Sequence, residues 1–166
     1  KATNRFALFF DPGCGKSRTA LEILKKSQQP WMKAIIFAPL NVCRNWQNEI
    51  REYLSETCTP ILVAGQNKKA KLEKLFAFRE STKTEILICN LEALRSKEYH
   101  SILSASRASF LIVDESHNFK NPNSLQTKGL LSLARILAPK TLLLLTGTPA
   151  PQGEMDLWST FSLLNK

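Results

Sequence analysis

Phe6-Ala7-Leu8-Phe9-Phe10-Asp11-Pro12-Gly13-Cys14-Gly15-Lys16-Ser17 runs from five apolar residues into a glycine-rich loop, and Arg18-Thr19-Ala20-Leu21-Glu22-Ile23-Leu24 continues as a helix-forming sequence. A buried strand that ends in such a loop turns backbone N–H groups toward one point at the helix N-terminus, where they can converge on phosphate oxygens. Lys16 would reach the β- and γ-phosphates and Ser17 a metal ion, with Gly13, Cys14, Gly15 and Arg18 completing the contact loop. The strict pattern G-x-x-x-x-G-K-[ST] needs glycine at position 10, where this chain has Phe10. The strand before the loop and the helix after it carry the reading instead. An ordinary glycine turn with Lys16 solvated is the alternative. Cys14 reads as a small residue tolerated in the loop rather than a redox switch.

A second apolar run, Phe110-Leu111-Ile112-Val113, delivers Asp114-Glu115-Ser116-His117 at its C-terminal end, where ligands sit in open parallel α/β sheets. Magnesium prefers hard oxygen ligands and keeps several waters, so one aspartate is enough, and Asp114 fits. Hydrolysis of a phosphoanhydride also needs a group that orients or deprotonates water, and Glu115 is placed for it. Together the loop and the acidic box describe a magnesium-dependent nucleoside triphosphatase. Two acids capping a turn are the bland alternative. Asp114, Ser116 and His117 are too close in sequence to form a hydrolase relay, and no G-x-S-x-G elbow exists.

The rest of the chain alternates strands and helices. Strands are expected near 6–10, 34–38, 61–64, 85–89, 109–113 and 141–146, and helices near 16–28, 42–55, 68–79, 124–138 and 153–164. Runs such as Ala34-Ile35-Ile36-Phe37-Ala38 and Leu142-Leu143-Leu144-Leu145 are continuously apolar, which predicts a parallel, doubly wound α/β sheet covered on both faces. In the 42–55 helix, Val42, Trp46, Ile50, Tyr53 and Leu54 share one face, so Trp46 reads as core. Lys68, Lys69, Lys71 and Lys74 alternate with Leu72, Leu75 and Phe76, as on the solvated face of an amphipathic helix.

At 166 residues without repeats or a linker, residues 1–166 read as a single domain. The four cysteines, at 14, 43, 58 and 89, have no zinc-type spacing and suit a reducing compartment. No stretch has the length of a membrane span and no signal-peptide layout precedes the first strand, so a soluble intracellular protein is expected. A formal net charge of +9 favours a polyanionic partner without naming it.

Three further segments lie at strand ends: Ala38-Pro39-Leu40-Asn41-Val42-Cys43-Arg44-Asn45-Trp46-Gln47-Asn48-Glu49-Ile50, Cys89-Asn90-Leu91-Glu92-Ala93-Leu94, and Leu145-Thr146-Gly147-Thr148-Pro149. With the loop and the acidic box, their order and spacing resemble motifs I, Ia, Ib, II and III of the first RecA-like lobe of Swi/Snf-type, superfamily-two DNA-dependent ATPases. Phe119-Lys120-Asn121-Pro122-Asn123-Ser124 and Asp156-Leu157-Trp158 also resemble this branch.

The resemblance implies a RecA-like P-loop fold of three αβα layers, with ATP and Mg2+ as cofactors and duplex DNA as partner. It implies catalytic roles for Lys16, Asp114, Glu115 and His117, metal contacts from Ser17 and Asp114, and coupling through Thr146 and Thr148. Pro39, Arg44, Asn45 and Asn90 would meet one strand's sugar-phosphate backbone, contacts that position without specifying sequence. Thr146 and Thr148 could instead merely close a turn before Pro149, and His100 has no motif partner. A second RecA-like lobe, in cis or in trans, would supply the arginines that stabilise the transferring phosphate; without it the lobe is expected to be nearly inactive and unable to translocate. The compartment would be cytoplasmic in a prokaryote or a virus of one, nuclear in a eukaryote. A non-catalytic module that binds nucleotide or nucleic acid, or a small kinase, is the alternative.

Overall fold

Continuous apolar runs become strands here because a parallel sheet covered on both faces has no solvent side to fill. The computed structural model describes residues 4–27, 29–150 and 153–165. In chain order these form β1 (Asn4–Phe9), α1 (Lys16–Lys26), β2 (Lys33–Ala38), α2 (Cys43–Leu54), β3 (Thr59–Leu62), α3 (Lys68–Glu80), β4 (Glu85–Asn90), α4 (Lys97–Ser104), β5 (Phe110–Val113), α5 (Leu125–Leu137), β6 (Thr141–Thr146) and α6 (Trp158–Leu164). Short 3-10 turns follow β4 (Leu91–Arg95) and β5 (Ser116–Phe119), and a third (Glu154–Leu157) precedes α6.

All strand pairs are parallel, in the order β1-β6-β5-β2-β4-β3. Alternate strand residues feed two cores. Ile36, Ile88, Ile112 and Leu143 pack with Leu21 and Leu24 of α1 and Trp46 and Ile50 of α2. Ile35, Leu87, Leu111 and Leu142 face Leu75 and Phe78 of α3, Ile102 of α4 and Leu130 and Leu133 of α5. The result is the expected doubly wound, three-layer arrangement.

Several local expectations need correction. The first strand was expected to be buried, yet β1 lies at the edge of the sheet, with Phe6 and Phe9 exposed by 50% and 48%. It also ends at Phe9, because the Phe10 carbonyl turns out of the ladder to accept a bond from Lys16 Nζ at 2.8 Å. β3 starts earlier than expected, at Thr59, and admits Pro60 because it is the other edge strand. In α3 the inward positions are Leu75 and Phe78, while Phe76 points to solvent. The helix expected over 153–164 divides into a 3-10 turn and α6. Gln28, where the sequence ends its first helix, lies outside the described residues.

Helix α4 has no counterpart among the expected elements. It has eight residues, buries only Ile102 and Leu103, and is held at its start by Ser96 Oγ, which accepts from Tyr99 N at 3.3 Å. Two inward residues in two turns are too few to register as a period.

Candidate functional site

Parallel strands place all their C-terminal ends on one rim, and the sheet order decides which loops meet there. The register pairs Phe9 with Thr146, Val113 with Leu144, Phe37 with Val113, and Ala38 with Asn90. The glycine loop, the Thr146–Thr148 turn, the acidic box, the Pro39 segment and the Asn90 segment therefore line up side by side along the rim. Sequence neighbours are separated by this and distant segments are joined.

The loop is shaped by two glycines in the left-handed region, Gly13 and Gly15, each with φ of 82°, a conformation that costs a residue with a Cβ far more than glycine. Cys14 N donates to Asp11 O at 3.1 Å, and Thr19 N to Gly15 O at 2.9 Å, opening α1 directly from the loop. Lys16 Nζ donates to Phe10 O and Asp11 O, at 2.8 and 3.2 Å, so its charge is held over the loop. Gly13, Gly15, Lys16, Ser17, Arg18 and Glu49 line an open cavity of about 400 Å³. The Arg18 guanidinium stacks on Tyr53 of α2, 3.2 Å from the ring centre.

Asp114 is buried at the end of β5, and its backbone N–H continues the ladder to Phe37 O at 2.8 Å. Its Oδ1 accepts from Glu115 N at 2.9 Å and its Oδ2 from Trp46 Nε1 at 2.8 Å. Burial, followed by the charge of Asp114, pushes the Cys43 thiol up to about 11. The same two causes, in that order, raise the Glu49 carboxyl above its ordinary value, with Arg18 acting against them. Asp114 and Glu49 are thus close enough to feel one another's charge, with Arg18 acting on Glu49 from the loop side.

Glu115 sits in the left-handed region, with φ 48° and ψ 51°, a conformation uncommon for a residue with a Cβ. This turn brings its Oε2 to 3.2 Å from His117 Nδ1. The same imidazole nitrogen lies 2.9 Å from Thr146 Oγ1 and 3.4 Å from Thr148 Oγ1, and Thr148 N donates to Thr146 Oγ1 at 3.1 Å. With that N–H as donor, the Thr146 hydroxyl can give its own proton to an unprotonated Nδ1; a protonated Nδ1 would donate to Glu115 instead. Gly147 adds a steric link, because a Cβ there would touch Pro12, Phe10 O and Lys16 Nζ.

Farther along the rim, Pro39 is half-buried, Arg44 and Asn45 are exposed in the first turn of α2, and Asn90 Nδ2 donates to the Glu92 carboxylate. The structure therefore brings Lys16, Thr146, His117, Glu115 and Asp114 together, and leaves Arg44, Asn45 and Asn90 as a separate group. In the sequence, Glu49 and Gly147 fall inside the quoted segments without a role of their own, Tyr53 reads only as part of its helix's apolar face, and Trp46 reads only as packing. Glu49 and Tyr53 lie three and seven residues after Trp46, so helical spacing from Trp46 was the available signal.

The donor set suits Mg2+ with a nucleotide. The loop offers backbone N–H groups and an ammonium for phosphate, and the Ser17 hydroxyl and Asp114 carboxylate offer hard oxygens. The described residues contain no cluster of three or more His, Cys, Asp or Glu, and Mg2+ commonly relies on one or two carboxylates plus substrate phosphates.

Fold and site together define a RecA-like P-loop nucleotide-binding lobe. The SNF2-related domain model matches residues 5–166, and the chain belongs to that family. It is 31% identical over 137 residues to the DNA repair and recombination protein RAD54-like of Drosophila willistoni, covering 80% of this chain and 16% of that protein. The DNA repair protein rhp54 of Schizosaccharomyces pombe is 31% identical over 169 residues, covering 92% and 18% respectively. Among solved structures, the Sulfolobus solfataricus SWI2/SNF2 ATPase core in complex with dsDNA superposes with a TM-score of 0.74 at 25% identity, over 96% of this chain and 31% of that one. The chain thus spans under a fifth of these curated relatives and about a third of the solved core.

Proposed function

We propose that residues 1–166 form one RecA-like domain, the ATP-binding lobe of a DNA-dependent ATPase that couples hydrolysis to movement on, or remodelling of, duplex DNA together with a second RecA-like lobe. The observation that carries this reading is the rim: a phosphate-type loop, a buried aspartate and the His117–Thr146 contact adjoin one another, with exposed Arg44 and Asn45 beyond them. Gly13, Cys14, Gly15, Lys16 and Arg18 would hold the phosphates, and Ser17 and Asp114 the metal. Bound Mg2+ would neutralise phosphate charge.

Glu115 would orient and deprotonate the attacking water, and its bond to a protonated His117 would compete with that task. His117 can choose between Glu115 and the threonines, so motion at Thr146 and Thr148 would reach the water-activating carboxylate through one imidazole. Pro39, Arg44, Asn45 and Asn90 would contact the phosphate backbone without reading sequence. The second lobe would provide arginines, a contribution on the order of 10³–10⁵ in rate in related phosphoryl transfers.

The test is nucleotide binding and DNA-stimulated turnover by the protein in its full natural length. Lys16→Ala is expected to abolish measurable binding of Mg·ATP. Glu115→Gln is expected to keep binding while slowing turnover by roughly 10²–10⁴. Duplex affinity should fall steeply with salt, as counterions are released from phosphate. Nucleotide binding indifferent to Lys16→Ala would sink the proposal.

A further inference from the structure

Helix α2 touches both groups on the rim. Its first turn exposes Arg44 and Asn45, while Trp46, Glu49 and Tyr53 follow at steps of three and four along the face turned to the loop. Glu49 lines the loop cavity, Tyr53 carries the Arg18 guanidinium, and Trp46 donates to Asp114 Oδ2 at 2.8 Å. β1 and β2 are three strand spacings apart in the sheet, roughly 14 Å, and α2 bridges much of that distance as one element.

The bond to Asp114 has a particular geometry. Each carboxylate oxygen accepts one bond, Oδ1 from the next residue's backbone and Oδ2 from α2. Two donors on different elements fix the plane of the carboxylate and leave a further lone pair on each oxygen. Of the two, only the indole can move with α2. Trp46 is 1% exposed, and phenylalanine would fill much of the same apolar space, so packing alone does not require the N–H.

We propose that Trp46 is a positioning residue: its indole N–H orients the Asp114 carboxylate toward a divalent cation, and it makes α2 the physical link between a nucleic-acid backbone at Arg44–Asn45 and the metal end of the nucleotide site. This rests on the function proposed above. Nucleic acid pressing on the first turn of α2 shifts the indole, and the shift is felt at Oδ2 as a change in the direction of the lone pair offered to the metal. Groups that orient a metal-binding side chain typically contribute ten- to a hundredfold in metal affinity.

The experiment combines one substitution with one resonance. Nucleotide affinity is measured against Mg2+ concentration with a fluorescent ATP analogue, for the wild type, Lys16→Ala and Trp46→Phe. Trp46→Phe is expected to bind nucleotide in EDTA as the wild type does, and to need about ten- to a hundredfold more Mg2+ for its metal-dependent gain. In parallel, the ¹H–¹⁵N spectrum of the wild type reports the indoles directly. Within residues 1–166, Trp31 and Trp158 are 73% and 43% exposed whereas Trp46 is buried, so Trp46 gives the solvent-protected indole signal of this segment, assigned by segmental ¹⁵N labelling and by its loss in Trp46→Phe.

That signal should move when Mg·nucleotide is added, and separately when duplex DNA is added without nucleotide. A wild type that fails to bind Mg·nucleotide, or binds no better than Lys16→Ala, overturns the functional reading itself. A wild type that binds, with Trp46→Phe unchanged in its Mg2+ dependence, overturns the positioning role. An indole signal unmoved by DNA overturns the link. If Trp46→Phe does not fold, the wild-type resonance decides alone: movement with both ligands supports the inference, and stillness with either overturns it.

Discussion

A methyl group on Gly147 would come within 3.1 Å of Pro12 Cδ, 3.3 Å of Phe10 O and 3.4 Å of Lys16 Nζ. The turn after β6 is thus in contact with the loop after β1, and only hydrogen fits there without displacement. Gly147→Ala should keep the fold by circular dichroism and weaken nucleotide binding by about ten- to a hundredfold, the scale of a misplaced binding group; calorimetric titration with wild-type affinity would contradict the contact. At this scale the sequence exposed residue types but not their partners. Lys16, Asp114 and Glu115 stood out in the sequence because phosphate and metal chemistry call for such groups at strand ends, and the structure sets them along one rim. Trp46 was half legible: helical spacing registers the apolar body of an indole and is blind to its N–H donor. The left-handed turn at Glu115 left no trace, since Glu is not a residue chosen for that conformation.

Among elements, α5 and the 3-10 turn after β4 are packed so closely that a Cβ on Gly129 would overlap the Leu94 carbonyl. Helix propensity and packing make opposite predictions for Gly129→Ala. Propensity alone favours alanine by about 1 kcal/mol, whereas forcing atoms into a filled contact typically costs about 1–3 kcal/mol. Backbone atoms on a neighbouring element cannot rotate aside, so a net loss is expected, read as a lower urea midpoint with an unchanged slope. A raised midpoint would show that the contact yields easily. The strands were the most legible elements, β6 residue for residue, because four consecutive leucines flanked by threonines fit little else. Burial of β1 was misread, since an apolar run does not say whether its strand has one neighbour or two. Helix α4 escaped because it buries only two side chains.

For the molecule as a whole, pairing of two apolar cores across a parallel sheet was legible from the runs, and strand order was not, because it depends on contacts between distant segments. The buried thiols give the whole fold an alkaline limit. Burial raises Cys89 and Cys58, and burial with the Asp114 charge raises Cys43 from 9.0 to about 11. The folded state therefore holds thiol protons that the unfolded chain releases near pH 9.0. The unfolded state binds fewer protons in that window, so stability falls as pH rises. Chemical denaturation is expected to show a decline from about pH 9 toward 11 that becomes shallower in Cys43→Ala; identical slopes would assign the decline to other groups.

Among the described residues β1 pairs with β6 alone, and this has a temporal consequence. Within residues 4–165, the first strand to be made has its sheet partner in the last of the six, with Asn4 against Thr141 and Phe9 against Thr146. At about 5–20 residues per second, a ribosome takes on the order of ten seconds to synthesise the intervening chain. Throughout that interval the phosphate loop hangs from a strand that has nowhere to dock. Growth of the nascent chain can complete most of this sheet before the glycine loop is seated, so the loop's competence to hold a nucleotide waits on the synthesis of β6.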